Sequence, residues 1–126
     1  DDGPLPGEDE RDPEGVLQFT KSAVTYQIQQ IKYGLDLWAT TKAPEALRSK
    51  YGTRAWEYTT PGELSPGGPG PNATEQGQIP TAIKKARYNL YLVRYDGSLG
   101  IHNGPFAITL LDTADDWVQQ ELASDD

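Results

Sequence analysis

Residues 82–111, AIKKARYNLYLVRYDGSLGIHNGPFAITLL, read as a helix, a tight glycine-rich turn and a second helix. Ile83, Ala86, Leu90 and Val93 recur at spacings of 3, 4 and 3, one face of a helix that Pro80 opens. YNLYLVRY is β-prone in isolation, but this spacing and the proline start favour helix. Asp96-Gly97-Ser98-Leu99-Gly100 has turn composition. Asn103 or Gly104 then caps a further helix, with Pro105 at its first position, running to about Leu122. Phe106, Leu110, Thr113 and Trp117 form one apolar face of it, and Ala107, Leu111, Ala114 and Val118 the next.

Working outward, the other strong helix spans Val16 to about Thr41. Val24, Ile28, Ile31, Leu35 and Trp38 fall at spacings of 4, 3, 4 and 3, with Leu17 a heptad earlier and Lys21 interrupting the seam. That stripe suits packing on another helix, and it is the expected partner interface. Pro44 disfavours helix at Ala43 and ends this element. It then opens a short helix, PEALRSKYG, stopped by Gly52, after which Thr53 is positioned to cap a further turn through Glu57.

The remaining segments lack periodicity. Residues 1–15 carry seven acids, one base, three prolines and three glycines, which reads as an extended or disordered acidic arm. Residues 16–126 form the single domain. Within it, 59–79 is a long Pro/Gly-rich loop or mobile insertion. Asn72-Ala73-Thr74 in that loop matches a glycosylation sequon, which requires an exported chain. The expected fold is therefore mainly α: a long amphipathic helix plus a helical hairpin, with an acidic arm and a Pro/Gly-rich loop.

Composition removes several functions. The chain has 126 residues, no cysteine and a net charge of −8. Disulfides, thiolate metal sites, cysteine nucleophiles and C-x-x-C-H haem attachment are excluded. No run of about 18 apolar residues is present, so no transmembrane segment is expected. Acidic ends oppose binding to nucleic acid and anionic membranes, while the middle of the chain is net basic. Methionine is absent, and an initiator Met is not trimmed before a bulky acid such as Asp1. The chain therefore reads as a processed product, from an export signal or from proteolysis.

One histidine, His102, lies in the turn between the two C-terminal helices. Neutral imidazole is a strong nitrogen ligand for metal or haem iron, and equally a satisfied structural residue beside a helix start. A Ser98–His102–Asp96 triad lies within one turn, where mutual geometry would be accidental. Glu57, Glu63 and Asp96 offer carboxylates without a spacing that selects a pair, and Asp112, Asp115 and Asp116 resemble a cation site only by count. Catalytic activity is not the expectation.

The segment ARYNLYLVRYDGSLGIHNGPFAITLL resembles the C-terminal helical module of multihaem c-type cytochromes, notably the cytochrome c nitrite reductases. In that family an arginine–aromatic–asparagine stretch, a turn and an H-N-P or H-A-P motif lie between two long helices. Ala86 to Asn89 match the first part, and Asp96 to Asn103 the second; Gly104 intervenes before Pro105. The likeness is good over roughly 30 residues and loose over about 100. It implies that His102 is a distal axial ligand to a haem iron. With no attachment motif here, that haem c would be bound covalently by a partner chain, a multihaem c-type cytochrome subunit. Arg87, Tyr88, Tyr91, Arg94 and Tyr95 would supply haem-edge or propionate contacts, with Trp117 near the edge or the interface. The implied role is an accessory electron-transfer subunit of a periplasmic or cell-surface hetero-oligomer. The alternative from the residues alone is a haem-free helical adaptor that binds a partner through the Val24–Trp38 seam.

Overall fold

The computed structural model describes the backbone of residues 13–95 and 104–123, and the side chains of 22–95 and 106–123. Four helices follow in order: α1 (Pro13–Thr41), α2 (Glu45–Tyr51), α3 (Thr81–Tyr95) and α4 (Gly104–Ala123), with no strand among the described residues. Two 3₁₀ turns, Gly52–Trp56 and Glu75–Gln78, lie between α2 and α3. The mainly helical architecture expected from the periodicity is the one observed. The acidic arm at 1–12 and the turn at 96–103, including Asp96, Ser98 and His102, lie outside the described residues.

α1 spans 29 residues, about 43 Å of helix, and begins three positions earlier than its apolar pattern. Pro13 occupies the first position, where a missing N–H costs no helical hydrogen bond. The α1 seam faces inward. Val24, Ile28, Ile31, Leu35 and Trp38 are at most 5% exposed, covered by α4, α3 and the Gly52–Trp56 turn. The seam expected to bind a partner is thus this chain's own core, because α4 and the turn supply the apolar faces it needs. Gly34 allows the close approach, since a Cβ there would meet Val118 Cγ1 at 2.9 Å.

α4 selects one of its two apolar stripes. Ala107, Leu111, Ala114 and Val118 are buried, whereas Phe106 is 54% exposed and Leu110 and Trp117 are half-buried. Asn89 on α3 donates from Nδ2 to the Leu110 carbonyl at 3.1 Å and so ties the two helices of the hairpin together.

α2 ends as its sequence indicates. Gly52 takes φ 59°, a conformation that strains any residue with a Cβ. No side chain caps the following turn, which begins at Gly52, so Thr53 does not have the capping role its position suggested. Trp56, fully buried at the end of that turn, donates from Nε1 to Asp36 on α1 at 2.8 Å.

The Pro/Gly-rich segment is pinned along its length. Gly70 N–H bonds the Thr59 carbonyl at 3.0 Å, and Thr59 Oγ1 the Pro71 carbonyl at 2.7 Å. Gln76 Nε2 reaches the carbonyls of both Glu57 and Pro71, at 2.9 and 3.0 Å. Asn72 and Glu75 form a reciprocal capping box, each side chain accepting from the other's backbone N–H at 2.8 Å. Tyr51 and Lys50 also donate to Glu75, which joins α2 to this turn. These hydrogen bonds turn the excursion back onto the end of the 3₁₀ turn.

Candidate functional site

α3 is apolar on two sides. Its inner side carries Ile83, Ala86, Leu90 and Val93 into the core. Its outer side carries Lys85, Tyr88, Leu92 and Tyr95 at spacings of 3, 4 and 3, all exposed. Tyr88 is 59% and Tyr95 56% exposed, a large aromatic area for a chain whose core is otherwise closed. Tyr88, Leu92 and Tyr95, with Tyr58 and Tyr91, line an open cleft of about 360 Å³. Gly62 fits against its wall, where a Cβ would lie 2.4 Å from Tyr95 Oη.

Beneath the cleft lies a buried polar cluster. Glu57 follows Trp56 out of the 3₁₀ turn and is fully buried. The Tyr91 hydroxyl donates to its Oε2, the Tyr58 N–H to its Oε1 at 2.8 Å, and Ser65 adds a third hydrogen bond. Burial pushes the Glu57 carboxyl above its ordinary range, while those three donors and the Arg87 charge pull it back down. Burial raises the Tyr91 phenol, and the Glu57 hydrogen bond raises it further. Arg87 is buried too. Its Nη1 donates to the carbonyls of Trp56 and Glu57, and its Cζ stands 3.9 Å over the Tyr58 ring. Burial lowers its pKa, countered chiefly by Tyr58.

Four aromatic rings form a continuous series here. Trp56 and Tyr91 have centroids 6.4 Å apart, Tyr58 and Tyr91 5.8 Å, and Tyr91 stacks on Tyr95 at 5.3 Å with an interplanar angle of 14°.

The residues expected at a haem edge therefore separate. Tyr88 and Tyr95 are exposed on the outer stripe, and Tyr91 is 6% exposed at the cleft floor. Arg94 lies at the surface, where its Nη2 pairs with Glu63. Arg87 is committed to carbonyls inside the chain, so a propionate has no access to it. Trp117 is half-buried on α4 with Lys85 Nζ 5.4 Å from its ring centroid. Asn72 is exposed, with Oδ1 occupied by the capping box. His102 lies outside the described residues. Glu57, Tyr58 and Ser65 form the cluster without any motif to mark them. The available signal was an acid enclosed by aromatic residues, Trp56-Glu57-Tyr58.

No group of three or more metal-ligating side chains occurs among the described residues, and no described helix is long and apolar enough to cross a membrane. No family model matches the chain, and no curated protein or solved structure matches it either.

Proposed function

We propose that this chain is the helical module of an exported multihaem cytochrome assembly, an accessory electron-transfer subunit whose His102 supplies an axial nitrogen to a haem borne covalently by another polypeptide. The observation supporting this reading is the outer stripe of α3. Tyr88, Leu92 and Tyr95 run along the helix to the start of the 96–103 connection that carries His102, and Phe106 is exposed just beyond its other end. An aromatic, largely uncharged surface suits the edge of a flat macrocycle and keeps water from it. Arg94 is the surface cation able to exchange Glu63 for a haem carboxylate. A histidine-ligated haem, when bound, supplies reversible one-electron chemistry. The chain's own contributions are the nitrogen ligand, the aromatic cover and the orientation of the hairpin.

The test is a reduced-minus-oxidised optical spectrum of the chain purified from its native source with whatever stays bound. Sharp c-type bands accompanying a chain without cysteine support the proposal, and a colourless single-component sample defeats it.

A second reading, a haem-free adaptor, rests on a different face. Tyr26 and Tyr33, 64% and 67% exposed, line a groove of about 490 Å³ between α1 and α4 together with Leu37 and Leu122. This reading expects Tyr33→Asp to abolish a protein–protein association while His102→Ala leaves it intact.

A further inference from the structure

The Glu57–Tyr91 contact joins the aromatic series to a buried base. Trp56 is fully buried, Tyr91 lies at the cleft floor, and Tyr95 opens to solvent, with consecutive centroids 6.4 and 5.3 Å apart. Rings at such separations exchange an electron readily. A tyrosine gives up an electron at an accessible potential only if its phenolic proton leaves at the same time, and Tyr91 has one acceptor placed for it. The Tyr91 hydroxyl donates to Glu57 Oε2, and Oε1 of that carboxylate takes the Tyr58 N–H at 2.8 Å. Both Glu57 oxygens thus accept hydrogen bonds, so the geometry presents the carboxylate to the phenol as an acceptor, although burial raises its pKa.

We propose that Tyr91 is a redox-active tyrosine, oxidised through the exposed Tyr95 ring by a one-electron outer-sphere oxidant, with its phenolic proton passing to Glu57 Oε2. The electron leaves to the oxidant, the O–H bond of Tyr91 breaks, and an O–H bond forms on Glu57. The products are a neutral tyrosyl radical and a protonated Glu57. Reduction by one electron returns the proton along the same hydrogen bond. This step needs no haem and does not rest on the role of His102.

The test is flash-quench oxidation of the full chain with a photogenerated ruthenium(III) polypyridyl complex, following the radical by transient absorption and electron paramagnetic resonance. The exposed tyrosines give phases that climb with buffer base, whereas the Tyr91 phase is independent of it, because its proton acceptor is internal. Tyr91→Phe abolishes this buffer-independent phase. Glu57→Gln, which preserves shape but not basicity, slows it roughly 10²-fold. A phase lost in Tyr91→Phe whose rate climbs with buffer base overturns the proposal. So does the same radical phase in a folded Tyr91→Phe chain.

Discussion

Arg87 Nη1 bonds the carbonyls of Trp56 and Glu57, 31 and 30 positions earlier in the chain, both at 3.0 Å. One guanidinium thus fastens α3 to the end of the 3₁₀ turn and to the start of the long Pro/Gly-rich excursion. The same turn is held to α1 by the Trp56–Asp36 hydrogen bond. Arg87 and Asn89, read together as part of a sequence motif, each bridge α3 to a different neighbour, the turn in one case and α4 in the other.

Replacing Arg87 therefore takes the side-chain donor from the Trp56 carbonyl and leaves the Glu57 carbonyl to Gln76 Nε2 alone. Arg87→Leu is expected to destabilise the chain by roughly 1–3 kcal/mol, from the cost of leaving a buried carbonyl unpaired. Urea unfolding measures this directly, and a loss below about 1 kcal/mol is incompatible with the role assigned to the guanidinium.

The two linked glutamates respond to pH in opposite directions. Tyr51, then the Asn72 N–H and Lys50, hold the Glu75 carboxyl down at about 2. Its contribution is present above the ordinary carboxylate pKa of about 4.3 and is lost as pH falls toward 2. Glu57 is shifted up by burial, so its contribution is complete below the ordinary pKa and is lost as pH rises through its folded value. Against unmodified chain, Glu75→Gln should lose its deficit as pH falls, and Glu57→Gln should gain relative stability as pH rises. Melting temperatures across pH 2–8 test both signs.

Gly70 has no room for a side chain, since a Cβ would sit 2.2 Å from the Tyr58 carbonyl oxygen. Gly70→Ala should cost roughly 1–3 kcal/mol, because the obstacle is backbone rather than a movable side-chain end. Gly77→Ala, with nothing within 4 Å of its Cβ, is the control, expected to change stability by no more than about 0.5 kcal/mol.

On α4, Leu111→Ala should cost roughly 2–5 kcal/mol and Phe106→Ala no more than about 0.5 kcal/mol in the chain alone. Leu111 is fully buried and Phe106 is not. Equal costs measured by denaturant unfolding would mean that the helix presents its other stripe to the core.

The helices were legible in the sequence because their apolar spacing is regular. The Val24–Trp38 stripe gave α1, and the proline starts located α2, α3 and α4 to within a few residues. What covers a stripe is a matter of the whole fold, which is why the α1 seam pointed to a partner but closes on α4 within the chain. The glycines and prolines of 59–79 mark a long loop or a mobile insertion without choosing between them. The hydrogen bonds that turn it span 5 to 19 positions, which local composition does not encode. The resemblance likewise groups Arg87 and Tyr91 with Tyr88 and Tyr95, although the first two bond Glu57 and the last two are exposed.

The decisive measurement is the optical and electron paramagnetic resonance spectrum of the proposed haem assembly with His102→Ala in place of the native chain. Far-UV circular dichroism should show an unchanged helical fold, and one haem should pass from low spin to high spin with the others undisturbed. An assembly whose haem spectra are identical with and without the imidazole would refute the ligand role of His102 and leave the haem-free adaptor as the standing reading.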